Sequence, residues 1–409
     1  MKRSISAFIA VLVLMLSLAS CSQPSGEAES TETDAKAYRG TINVYNWGEY
    51  ISDGSEDSLD VNAAFTEATG IKVNYTTYAS NEDMYAKLKS GATGYDVIIP
   101  SDYMIKRLLD EGMLEKLDFS NIPNFKNIDE RFHVPYYDPT GEYTVPYTYG
   151  MVGVIYNTTR VDEEDTGTWD LMWNEKYKGD ILQYNNSRDA FGTAMYKLGI
   201  SVNTTDEAEW RRALDELAAQ KPLVQSYVMD EIYNKMESGE AAISSYYAGD
   251  YLTMVENNED LAFYYPEEGT NIFIDAMCIP KGSKNKSLAE EYINFMLDRD
   301  AAVANAEYIC YASPNTLVTS DPEYIEYMGE DGLALLYPED LDFAVEYDKN
   351  CYKNLPPETL ALVNSLWEEL KIDSSLGAGI YVTCVLIIAL LAVWGAYTII
   401  VKKKRSKYY

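Results

Sequence analysis

Short β-type apolar runs alternate along this chain with longer amphipathic ones, and that order points to an α/β architecture. Residues 41–45, 71–75, 95–99, 151–156, 180–184 and 241–247 read as strands, and 272–277 is a further apolar run. Helices are predicted over 81–89, 103–111, 190–198, 207–219 and 230–238, with Gly112 stopping the second of them. In open sheets of this class, ligands sit outside the carboxyl ends of the strands, so the residues that follow each strand carry the functional information.

Those residues share a chemistry. The first strand is followed by Trp47, Glu49 and Tyr50, and the third by Ser101, Asp102 and Tyr103. Later strands deliver Asn186 and Asp189, then Tyr247 and Asp250. Ring faces beside carboxylates suit an organic cation, although rings at such positions also serve simply as packing. Asp275 stands inside the apolar run 272–277, and no Lys or Arg lies between Lys235 and Lys281 to neutralise it locally. A buried carboxylate costs several kcal/mol unless it is paired, so an incoming ammonium or a distant basic side chain is expected. With 36 Tyr against 10 Phe, rings for an aromatic box are plentiful.

Both ends carry membrane signals. Lys2 and Arg3 precede the apolar run 5–18 and then Leu18-Ala19-Ser20-Cys21, which reads as a lipoprotein signal peptide, 1–20, with Cys21 as the lipidated residue. The polar stretch 21–37 is expected to be a flexible tether. Residues 377–401 hold no charge and are long enough to cross a bilayer as a transmembrane helix. The basic tail 402–409 places that end in the cytoplasm. The roughly 350 residues between suggest two extracytoplasmic domains. Without the two basic residues of the signal and the five of the tail, that portion has 26 basic against 65 acidic residues. Such a surface repels nucleic acid and concentrates cations.

Cys278, Cys310 and Cys351 are too widely spaced for a zinc site, and His133 is the only histidine. Buried thiols are the default reading, with one disulfide left open. No nucleophile elbow, Walker motif or dinucleotide glycine pattern is present, so neither an enzyme nor a bound cofactor is expected.

Several blocks in register resemble one family. They are Tyr45-Asn46-Trp47-Gly48-Glu49-Tyr50, the segments 67–73, 80–88 and 95–101, Lys197-Leu198-Gly199 with Asn203-Thr204-Thr205-Asp206, and Pro266-Glu267-Glu268-Gly269 running on to Asp275, Ile279 and Pro280. Over about residues 40–371 the chain is similar to the spermidine/putrescine-binding proteins of polyamine ABC importers. The resemblance implies a two-lobed periplasmic-binding-protein fold of the second type, hinged between lobes, one of 38–150 plus 274–318 and the other of 151–273 plus 319–373. It further implies capture of putrescine or spermidine and delivery to a membrane permease. By the same resemblance Trp47, Tyr50, Tyr103, Tyr247, Phe273 and Tyr311 are the rings of the box, Ser101 is a polar contact, and Asp275 and Asp189 are amine anchors.

Departures from the family pattern are informative. Asn186 stands where spermidine-type members carry an aspartate, while Tyr247 and Phe273 replace tryptophans. Tyr247-Ala248-Gly249-Asp250 resembles the Trp-Ala-Gly-Asp of putrescine-type members, in which the aspartate holds an amine, and Glu49 stands where those members carry an aspartate. No residue near 345–353 aligns with the family's last contact. The 377–401 span is foreign to the soluble members, and it keeps an alternative open: a sensing ectodomain that signals through this helix and a partner protein.

Overall fold

The computed structural model describes residues 38–372, apart from 92–93, 340, 342–345 and 348. The signal peptide, Cys21, the tether, the 377–401 span and the basic tail lie outside the described residues. Among the described residues no helix is long and apolar enough to cross a membrane.

The described strands are β1 (Gly40–Trp47), β2 (Ile71–Tyr78), β3 (Val97–Ile98), β4 (Thr144–Asn157), β5 (Ile181–Tyr184), β6 (Val224–Val228), β7 (Ile243–Tyr247), β8 (Leu261–Tyr264) and β9 (Ile272–Cys278). They join into one mixed sheet in the order β2-β1-β3-β9-β4-β7-β5-β6, with β8 paired to β4. The long strand β4 is what unites it. Its first half pairs antiparallel with β9, from Thr144 opposite Cys278 to Met151 opposite Ile272, and its second half pairs with β7 and β8 from Val152 onward. One strand thus serves two half-sheets, β2-β1-β3-β9 on one side and β7-β5-β6 on the other.

β4 is buried along nearly its whole length, so it shows no alternation of polar and apolar residues. Pro146 interrupts the pattern that remains. A proline has no N–H for the ladder, and the register shifts between Pro146 and Thr148 to accommodate it. The predicted strand 151–156 is therefore only the second half of the observed one.

Helices α1 (Val61–Thr69), α2 (Asn81–Lys89), α3 (Asp102–Asp110), α4 (Ser187–Lys197), α5 (Glu207–Gln220), α6 (Ile232–Glu237) and α7 (Ala248–Asn257) follow the strands. Beyond β9 come α8 (Lys286–Met296), α9 (Arg299–Ile309), α10 (Thr316–Thr319), α11 (Pro322–Leu336) and α12 (Pro357–Lys371). Several of their starts, those of α1, α2, α4, α5, α10 and α11, carry side-chain caps. The Ser80 hydroxyl accepts the Asp83 N–H at 3.1 Å, and Asn186 Oδ1 accepts the Asp189 N–H at 2.9 Å. Three helices, α3, α4 and α7, begin directly beyond the carboxyl ends of β3, β5 and β7 with an aspartate in the first turn. Their N-termini carry the positive end of the peptide dipoles, which favours a carboxylate there.

Candidate functional site

Those helix starts converge with the end of β1 and the middle of β9 on one cavity. Trp47, Tyr50, Ser101, Tyr103, Asn186, Asp189, Tyr247, Asp250, Phe273, Asp275 and Tyr311 all line it, so the structure brings together eleven of the twelve residues singled out in the sequence. The twelfth, Glu49, is placed elsewhere. Its backbone turns left-handed, with φ of 46°, and its exposed side chain lines an adjoining open groove with Tyr233, Glu256 and Glu307.

Asp275 is 4% exposed. The Tyr50 hydroxyl donates to its Oδ2 at 2.7 Å and also bonds Thr148. Its Oδ1 has no hydrogen-bond partner, and no basic side chain pairs with it among the described residues. Burial pushes its carboxyl up to about 6, against the opposing pull of the Ser101 and Tyr50 hydroxyls, and the charge of Asp189 adds to the rise. Asn271, 3% exposed and on the same wall, likewise keeps a buried Oδ1 without a donor.

The second half-sheet supplies Asp189 and Asp250. Asp189 Oδ2 accepts from Asn186 Nδ2 at 2.6 Å and from the Tyr247 hydroxyl at 2.7 Å. Burial raises its carboxyl, opposed by Asn186, Tyr247, Tyr352 and the Arg188 charge. Asp250 accepts from the Tyr233 and Tyr311 hydroxyls, and burial still raises it to about 6. The rings form a connected row. Tyr50 meets Tyr311 at 5.2 Å between centroids, Tyr311 meets Phe273 at 6.0 Å, and Phe273 meets Tyr247 at 5.3 Å. Trp47 is held in place by its indole N–H, which donates to the Ile99 carbonyl at 3.0 Å. Gly249 allows the close approach: a Cβ there would strike the Tyr311 ring and lie 2.8 Å from the Cys310 carbonyl oxygen.

Further residues of this wall were not carried into the candidate set, although Asp102 was noted at the end of the third strand. Asp102, 1% exposed, accepts from Tyr136 and from the Ile274 N–H at 3.3 Å, and burial raises it to about 7. Glu82 accepts from the Tyr103 hydroxyl at 3.0 Å, and Asn81 Nδ2 donates to Ser101 Oγ at 3.1 Å. All three follow strands: the rule used for Trp47 and Ser101 picked out Asp102 and, applied after the second strand, would have found Asn81 and Glu82 as well. Tyr352 has no such signal; it arrives from the segment before α12 and packs edge-on against Tyr103 at 5.9 Å. Cys278, Cys310 and Cys351 are buried free thiols.

A cavity with carboxylates on its walls, no basic residue lining it among the described residues and rings between can hold an elongated cation. Residues 61–329 match the family model described as bacterial extracellular solute-binding protein. The chain belongs to that family. As a solute-binding protein it is a component of transport rather than an enzyme. It is 37% identical over 276 residues to the spermidine/putrescine-binding periplasmic protein of Escherichia coli, covering 67% of this chain and 78% of that one. It is 30% identical over 360 residues to a putrescine/cadaverine-binding protein of Pseudomonas aeruginosa, covering 85% and 96%. Among solved structures, a putative spermidine/putrescine ABC transporter protein from Listeria monocytogenes superposes with a TM-score of 0.74 at 34% identity, over 81% of this chain and 99% of that one. This solute-binding protein thus has the two-lobed fold of the second type.

Proposed function

We propose that this solute-binding protein captures putrescine or spermidine in the cavity and delivers it to the permease of an ABC importer. One observation carries the reading: Asp275 is a buried acceptor with a free oxygen, no basic partner among the described residues and rings on either side. An ammonium group supplies both the missing charge and the missing N–H, and a methylene chain suits the aromatic row. Asp189 and Asp250 are the further anchors, facing the ligand from the other half-sheet. The lobes are 38–150 plus 274–318 and 151–273 plus 319–373, which accords with the handover within β4 between Met151 and Val152. Titration calorimetry of the purified protein is expected to give saturable binding of both polyamines, with putrescine the tighter because Asn186 removes one carboxylate. Absence of binding by either polyamine overturns the reading.

The protein is anchored at the extracytoplasmic face of the cell membrane by lipid on Cys21 and by a helix over 377–401. The support is the sequence pattern at each end. Mass spectrometry of the N-terminal tryptic peptide is expected to find a diacylglyceryl group on Cys21, and an unmodified cysteine there overturns the lipid anchor.

A further inference from the structure

Among the described residues, two side chains of the cavity wall hold a buried oxygen without a hydrogen-bond donor: the amine anchor Asp275 and the neutral Asn271. Asn271 directly precedes β9 and continues the alternation of Asp275 and Phe273, so all three side chains share the face that lines the cavity. Its backbone is pinned on both sides. The Asn271 carbonyl accepts the Val152 N–H at 3.0 Å, the Thr270 hydroxyl donates to the Val152 carbonyl at 2.6 Å, and the Ile272 N–H donates to the Asn350 carbonyl at 3.2 Å. With the backbone held and the residue 3% exposed, the side chain has no route to bulk water. A buried acceptor without a donor is destabilising, so one that faces a ligand cavity implies a donor that arrives with the ligand.

Spacing along the strand says which part of the ligand that is. Residues of a strand rise about 3.3 Å each, which puts Asn271 roughly 13 Å from Asp275. The two side chains are equal in length, so their oxygens keep a similar separation. An extended four-methylene diamine, about 6 Å between nitrogens, with a hydrogen bond of about 2.9 Å at each end comes close to it. The Phe273 ring stands midway, where the methylenes lie. Asp275 provides the counter-charge at one end. At the other, Tyr247 pairs with Val152 across the sheet from Asn271, and its hydroxyl donates to Asp189 at 2.7 Å. Asp189 Oδ2 already accepts from Asn186 and Tyr247, whereas an ammonium brings three N–H groups. Asn271 adds an acceptor that carries no charge.

Resting on the polyamine reading above, we infer that Asn271 is a further ligand contact and a specificity-determining residue: its side-chain oxygen accepts an N–H from the amine remote from Asp275, so this end of the cavity takes a primary ammonium and rejects a quaternary one. Ring faces alone make no such distinction, because they attract a quaternary ammonium as readily as a primary one. An acceptor that only an N–H satisfies does make it.

The test is calorimetry on the full-length protein with putrescine and with (4-aminobutyl)trimethylammonium, which is putrescine with one end fully methylated. The wild type is expected to bind putrescine about a hundredfold more tightly. Asn271→Val, which removes the oxygen in a shape suited to a strand, is expected to bring that ratio down to about tenfold by weakening putrescine, with the methylated ligand held within twofold. Ligand-free Asn271→Val is expected to melt no lower than wild type, since it deletes an unsatisfied acceptor. A ratio unchanged in Asn271→Val overturns the inference, as does an equal loss of both ligands, which would mark a packing role. If Asn271→Val does not fold, Asn271→Ala decides by the same ratio. Wild-type protein that binds both compounds equally overturns this inference and leaves the polyamine reading standing; wild-type protein that binds neither overturns both.

Discussion

Replacing Asp275 by Asn is expected to weaken putrescine and spermidine binding about a hundredfold, measured by titration calorimetry near pH 7.5. The side chain keeps its shape, and its oxygen still accepts from Tyr50, so the change removes charge and little else. Breaking one partner of a buried charge pair costs about 3 kcal/mol, which is the hundredfold. Glu49→Gln, in the exposed turn beside the cavity, is the contrasting variant and is expected to change affinity by less than about threefold, since an exposed charge pair is worth about 1 kcal/mol or less. Unchanged affinity in Asp275→Asn removes this residue as the anchor. Stability should move the other way. A carboxyl held at about 6 in the fold and near 3.8 when unfolded contributes stability below pH 3.8 and loses it as pH rises through 6. At pH 7.5 that loss is complete and amounts to about 3 kcal/mol, so ligand-free Asp275→Asn is expected to melt higher than wild type.

The same residue shows how far the sequence could be read. Asp275 stood out because an acid interrupts an otherwise apolar strand, and burial of that whole strand is what makes the interruption meaningful. The residues on α3, α4 and α7 were legible because each of these helices starts directly beyond the carboxyl end of a strand. β6 and β8 were not. Most of their residues are half-buried on both faces, so they lack the contrast between alternate positions that marks a strand. Glu49 was misplaced by its neighbours: adjacency to Trp47 and Tyr50 suggested a shared site, but a left-handed backbone at Glu49 sends its side chain to the adjoining groove. Tyr352 depends on its contact with Tyr103, far away in the chain, and no local pattern encodes such a meeting.

Affinity for polyamine is expected to collapse as pH falls below about 6, and the carboxyls of the cavity explain why. Asp275 and Asp250 are held at about 6 and Asp102 at about 7, in each case by burial first. An ammonium beside these groups favours their ionised form, so binding must expel the protons that an acidic medium supplies. Primary amines stay charged throughout this range, so the ligand does not contribute to the change. Each anchor that must ionise costs about tenfold in affinity per pH unit below its own value. With Asp275 and Asp250 both engaged, affinity at pH 5 is expected to be about a hundredfold below that at pH 7.5. The ligand-free protein behaves oppositely. Its raised carboxyls bind protons more tightly folded than unfolded, so its melting temperature is expected to rise between pH 7.5 and pH 5 as far as these groups control it. Thermal melts with and without putrescine across that range test both signs together: the stabilisation conferred by ligand should shrink towards pH 5. A stabilisation independent of pH would mean that the ligand is held by groups ionised throughout, and would exclude Asp275 and Asp250 as its counter-charges.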